Sequence, residues 1–376
     1  MRLAICALAS ASLLAACATT PVPNARPLNT AQIEAMGPTP VVLVENNHGV
    51  EKSWFMSSSA AAGAPYGLVG ALVSAAIDAA MNYGPSKRAE KSANEMAEIL
   101  SLEELNGGSL SKAFRDHATE TAGAGGVRFT EVTTDQRLID DDPSDDAVNV
   151  TASYVLSEDA STLRIIFQIE YHNAALPYVT PYTFEGAPPK AETMGPTYRN
   201  AFTYYSRSLP APEMTPELRE RPIASIQDSA RDDNGVLPAE GTNEFKAMTK
   251  ELEQAQDDNL TKAEIAIFLT REWLRENGAL LKAEIASAHA FAARYALLDL
   301  NRTEVPSFEG PEDVKVETLT DGRTIIRVGA GPAAGSYVSF AGNVDNFSTY
   351  GNVTSIARER RERISDLRKA ARNAAE

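Results

Sequence analysis

Residues 148–171 read VNVTASYVLSEDASTLRIIFQIEY, and the fold turns on how this stretch is interpreted. Val148 to Leu156 and Leu163 to Tyr171 are runs rich in β-branched and aromatic side chains, joined by the polar Ser157-Glu158-Asp159-Ala160-Ser161. In the second run Ile165, Phe167, Ile169 and Tyr171 recur at every other position, which in a strand places all four on one side. Two adjacent strands with one apolar side predict a sheet that packs that side into a core. Further strands are expected at Val41 to Val44, ahead of the turn Glu45-Asn46-Asn47-His48-Gly49, and at Val127 to Val132. Helices are expected between those strands, so residues 41–187 read as an α/β sandwich-like domain and the chain as α+β.

The helices of that domain carry different signals. Ala60 to Met81 has a single charge, Asp78, but its large residues form one stripe and its small ones the other. This favours a buried helix with a small face over one that dips into a membrane. Lys87 to Leu105 is charged and helix-prone. Ser109 stands where an N-cap would start a helix with Leu110, Phe114 and Ala118 on its apolar side.

Beyond the domain, residues 188–214 read as a Pro-rich linker with one possible strand at Tyr198 to Ser208, and 215–303 as a helical region. Thr215-Pro216-Glu217 has the form of a helix start, and Asn277-Gly278 that of a break between two helices. Leu281, Ile285, Ala288, Ala292 and Tyr295 recur at 4-3-4-3 spacing, so the helices flanking the break are expected to form a helical hairpin. Residues 304–355 predict a small antiparallel β part. Its hairpin, Val314 to Val328, turns at Asp321-Gly322, and Tyr337 to Phe340 is a candidate third strand. Residues 356–376 predict a terminal helix with seven basic and four acidic side chains.

The N-terminus gives the most specific motif. Arg2 precedes an uncharged run from Leu3 to Ala16, the layout of a secretory signal peptide and too short to span a bilayer. The run ends Leu14-Ala15-Ala16-Cys17, which resembles the lipobox of bacterial lipoproteins. That resemblance implies a signal peptide over 1–16, cleavage before Cys17, a thioether-linked diacylglycerol on its sulfur and acylation of the new amine. Ala18 follows where Asp would signal inner-membrane retention, so the resemblance implies an outer-membrane protein facing the periplasm. Residues 17–40, with Pro21, Pro23, Pro27, Pro38 and Pro40, read as a lipidated, Pro-rich tether. Cys6 and Cys17 are the chain's two cysteines. With Cys6 removed and Cys17 lipidated, the mature chain would hold neither disulfide nor thiolate metal site.

Charge and motif content limit the chemistry. The net charge is −16 across 376 residues, the wrong sign for a surface that neutralises phosphates, so no nucleic-acid partner is expected. The four histidines, His48, His117, His172 and His289, have no zinc-binding spacing. Ser109-Leu110-Ser111-Lys112 matches the Ser-x-x-Lys of penicillin-recognising enzymes, but the companion Ser-Asp-Asn and Lys-Thr-Gly motifs are absent. Two acidic stretches are weak calcium candidates. Asp140, Asp142 and Asp145 lie in a run with five carboxylates in seven residues, and Asp232 and Asn234 lie in a partial EF-hand-like loop whose first and last ligand positions do not fit.

No cofactor is expected and no catalytic residue is assigned. The sequence predicts a lipid-anchored cell-envelope protein acting non-catalytically as a periplasmic interaction or assembly module, held to the membrane through Cys17 and meeting an envelope protein partner. The first domain's element order also looks distantly like the periplasmic domains of outer-membrane assembly lipoproteins. The alternatives are a periplasmic hydrolase acting on peptidoglycan or glycans through a carboxylate pair, and a small-ligand binding lipoprotein.

Overall fold

A computed structural model describes residues 22–44, 50–55, 108–121, 128–135, 145–157, 159–184, 195–213, 215–256, 262–310, 312–341 and 353–355. The expectations for the signal peptide, Cys17, Ala60 to Met81, Lys87 to Leu105 and the terminal helix lie outside these residues. The described strands are β1 (Pro38–Val44), β2 (Val50–Phe55), β3 (Arg128–Asp135), β4 (Val148–Leu156), β5 (Leu163–Tyr171), β6 (Tyr198–Tyr205), β7 (Val314–Thr318), β8 (Thr324–Arg327), β9 (Tyr337–Phe340) and β10 (Val353–Ser355). The described helices are α1 (Thr30–Ala35), α2 (Ser109–Thr121), α3 (Pro216–Ala230), α4 (Asn243–Ala255) and α5 (Lys262–Leu300).

β4 and β5 form the predicted antiparallel pair, in register from Val148 opposite Tyr171 to Leu156 opposite Leu163. β6 pairs antiparallel with the other edge of β5. Alternation then works as the sequence dictates: Ile165, Phe167, Ile169, Tyr171, Phe202 and Tyr204 are buried, while the intervening residues stay partly exposed. On the far edge of β4, β1 runs parallel to its first half and β2 parallel to its second. β3 pairs parallel with β1, and β10 antiparallel with β2. On the other side the sheet continues β6-β9-β8-β7, with β6 and β9 parallel. The fold is α+β, with one mixed sheet.

The topology revises the expected organisation. The possible strand of the 188–214 linker is β6, inside the sheet, and the C-terminal hairpin and third strand extend the same sheet rather than forming a separate β part. The parallel β6–β9 pairing is closed by segments more than a hundred residues apart in the chain, which local periodicity cannot reveal.

The expected tether is also corrected over its described part. Ala25, Leu28 and Met36 are buried, and Arg26 exchanges backbone hydrogen bonds with Arg199 at the start of β6. Asn29 caps α1 in a reciprocal box with Gln32, each side chain accepting from the other's backbone amide at 2.9 Å. Pro38 opens β1 and Pro40 falls at its register shift, two places where a missing N–H is tolerated within a sheet. These prolines punctuate packed structure instead of extending a free chain.

α5 contains the expected break. Arg275 is extended, and Glu276, Asn277 and Gly278 have positive φ, so two helices meet there. The second, over 279–300, lays its predicted seam on the core, with Leu281, Ile285, Ala288, Ala292 and Tyr295 all buried. α3 and α4 bury Ile226, Met248 and Ala255 in a small core of their own.

Candidate functional site

The second half of α5 brings three polar side chains to the buried side of the sheet. Glu284, His289 and Asp299 each meet a tyrosine hydroxyl from a neighbouring strand. Polar groups on an otherwise apolar seam require partners, because an unmade hydrogen bond in the core costs about 1–3 kcal/mol.

His289 has no exposed surface. Its Nδ1 lies 2.5 Å from Ser109 Oγ on the first turn of α2, and its Nε2 lies 2.8 Å from Tyr154 Oη in the middle of β4. The Phe167 ring stands edge-on at 5.8 Å. A neutral imidazole has one donor and one acceptor nitrogen, and a hydroxyl can take either role, so the three side chains satisfy one another without any net charge. Burial lowers the His289 pKa to about 3, and burial raises that of Tyr154. Both groups are held neutral.

The arrangement places a serine hydroxyl against an imidazole, the first two members of a hydrolytic triad. The third position differs in kind. In such triads a carboxylate stabilises the imidazolium that forms when the serine proton is taken, whereas here a phenol occupies that side. A base with a pKa about 3.5 below that of a free imidazole opposes that proton transfer by about 5 kcal/mol. The Ser109–His289–Tyr154 chain is built to pin α2, α5 and β4 together. The hydroxyl of Ser109 therefore serves this contact in place of the expected cap. Lys112 makes no catalytic pair with it in the described contacts: its ammonium lies 2.5 Å from Asp116, one turn along α2.

One end of α5 carries the second cluster. Asp299, buried, accepts from Tyr198 Oη at 2.8 Å and from Asn200 Nδ2 at 2.7 Å. Burial raises its pKa, and the two donors together with Arg302 act in the opposite direction. Nearer the helix start, Tyr204 Oη donates to Glu284 at 2.6 Å, and the Arg323 guanidinium sits 4.1 Å over the Tyr204 ring while donating to the Tyr205 carbonyl at 2.6 Å. These bonds tie the C-terminal hairpin to the helix and the centre of the sheet.

The calcium candidates among the described residues are not brought together. Asp140 and Asp142 lie outside the described residues, and Asp145 is exposed beside a backbone bridge to His172. Asp232 spends one carboxylate oxygen on the backbone amides of Asn234 at 2.9 Å and Val236 at 2.8 Å, which closes the turn. Among the described residues no group of His, Cys, Asp and Glu is placed to hold a metal ion. His172 lies 3.2 Å from Glu170, and His48 is outside the described residues.

The sequence singles out His289 and Ser109 separately but does not show that they pair with each other and with Tyr154. One signal was present: His289 follows Ile285 by one helical turn and so sits beside the apolar seam, where a polar side chain needs a counterpart. Nothing local says that the counterparts lie on β4 and α2, 135 and 180 residues away. No family model matches the chain, and no curated protein or solved structure matches it.

Proposed function

We propose that the chain is a lipid-anchored cell-envelope protein, attached through Cys17 and facing the periplasm, whose body acts non-catalytically as an interaction or assembly module. What carries this reading is the use made of its best-equipped side chains. His289, Ser109 and Tyr154 satisfy one another, the imidazole is kept neutral, and Asp299, Glu284 and Arg323 are engaged with strand tyrosines and backbone. Groups committed in this way stiffen a scaffold and leave recognition to its surface. The packed segment 24–36 supports the same reading, because it couples the lipid-bearing end of the chain directly to β6.

The test is crosslinking in intact cells followed by affinity purification, with the Cys17→Ser variant as control. An envelope protein enriched with the lipidated form and lost in the control is expected. Equal recovery from both forms counts against the reading.

The Ser109–His289 contact favours one second reading, a serine hydrolase. A fluorophosphonate probe separates the two: Ser109 is expected to remain unlabelled, whereas labelling that disappears in Ser109→Ala would establish a reactive serine.

A further inference from the structure

The connection from β5 to β6 opens with Asn173-Ala174-Ala175-Leu176-Pro177-Tyr178-Val179-Thr180-Pro181-Tyr182-Thr183-Phe184, a loop segment of twelve residues without a charged side chain in a chain that is 23% charged. It is tied down at three places. Gln32 of α1 donates to the Pro177 carbonyl at 3.1 Å, the Arg26 guanidinium lies 4.6 Å over the Tyr178 ring, and Tyr182 Oη donates to the Pro306 carbonyl at 2.9 Å. Held so, the loop still leaves Val179 71% exposed, the most exposed large apolar side chain among the described residues. Val305, 48% exposed, adjoins Pro306, which packs on Gly335 together with Ala25.

Two of the three ties are made by the segment that follows Cys17. Ala25, buried against the body, lies eight residues after Cys17. A fully extended chain of that length reaches at most about 29 Å. A folded chain of this size has a radius of gyration of about 20 Å and is therefore about 50 Å across. With lipid on Cys17, Ala25 is held within that distance of the bilayer, so the side of the body that bears residues 24–36 is the near side. The uncharged loop lies against that segment.

We propose that loop 173–184 is a membrane-contact element, which seats Val179 in the headgroup region beside the anchor and so fixes the orientation of the body; this rests on lipidation of Cys17. The chemistry suits a phospholipid surface. The chain's net charge is −16, and an acidic protein is repelled by anionic headgroups wherever it presents carboxylates. An uncharged stretch that presents an exposed valine can meet the interface without that penalty.

The experiment uses nitroxide labels on the full, processed protein bound to protein-free vesicles of phosphatidylethanolamine and phosphatidylglycerol. Val179→Cys reports the loop. Leu280→Cys is the reference: it is 40% exposed and lies about 28 Å along the helix from Asp299, the residue that meets Tyr198 at the loop's end of the sheet. Collisions with oxygen, relative to a water-soluble nickel complex, are expected to be severalfold more frequent at 179 than at 280. Equal accessibility at both positions overturns the proposal, as does a label at 179 that becomes shielded only when envelope proteins are added. The unsubstituted chain separates this failure from failure of the anchor. It takes up no label if Cys17 carries lipid; one label per chain with no retention on vesicles would defeat the lipoprotein reading and the loop proposal together.

Discussion

His289 and Asp299 lie on one helix, about 15 Å apart, and are buried to a similar degree, yet one is a base and the other an acid. Burial moves their pKa values in opposite directions, down for the imidazole and up for the carboxyl. In each case the neutral form is favoured, because removing water penalises charge of either sign. Their partners differ in effect. Two hydroxyls satisfy a neutral imidazole fully, whereas Tyr198 and Asn200 both donate to a single oxygen of Asp299 and so favour its ionised form against the effect of burial. The helix is therefore fastened at one position by a neutral relay and at the other by a carboxyl whose hydrogen bonds oppose the effect of burial.

The largest consequence is in acid. His289 has a folded pKa of about 3 against 6.5 for the free group. Between these values the unfolded chain binds a proton that the folded chain does not. Stability from this group is therefore fully present above pH 6.5 and is lost as pH falls, by about 1.4 kcal/mol per unit and by about 4 kcal/mol near pH 3.5. Asp299 acts with the opposite sign. Its raised pKa stabilises the fold below the ordinary carboxyl value of 3.8, and that contribution is lost as pH rises through its folded value. Urea unfolding of His289→Gln and Asp299→Asn at several pH values resolves the two: the first variant is expected to flatten the acid flank and the second to steepen it. Parallel profiles for both variants and the parent would remove the distinction.

A smaller effect separates removing a group from neutralising it. Asp299→Ala leaves the Tyr198 hydroxyl and the Asn200 amide with one fewer acceptor in the core and is expected to cost about 3 kcal/mol at pH 7. Asp299→Asn keeps an oxygen for both donors and is expected to change stability by less than about 1 kcal/mol. Equal losses would mean that a full negative charge holds the cluster. Ser109→Ala deprives a ring nitrogen of its hydroxyl and is expected to cost about 1–2 kcal/mol in the same assay, with no change in partner capture from cells.

Particular residues show how much the sequence disclosed. The 148–171 hairpin, the break at Asn277-Gly278 and the seam from Leu281 to Tyr295 follow from alternation, turn chemistry and helical spacing, all local signals. The parallel neighbours of β4 and β6 were not legible, since each joins segments separated by long intervening chain. Proline density in residues 17–40 suggested a free tether, although Asn29 and Gln32 already carried the capping spacing that orders α1. The polar relay was legible only in part. A histidine beside an apolar seam announces that a partner is needed without saying which hydroxyl supplies it, and Ser109 read as a helix cap because its distant partner was unknown.

We propose that lipid at Cys17 anchors the chain and that its body is a recognition scaffold. Mass spectrometry of the intact protein isolated from its native membrane tests the anchor. A chain beginning at Cys17 and heavier than its amino acids by a thioether-linked diacylglycerol and one amide-linked acyl group is expected. An unmodified Cys17, or an N-terminus at any other residue, would contradict it.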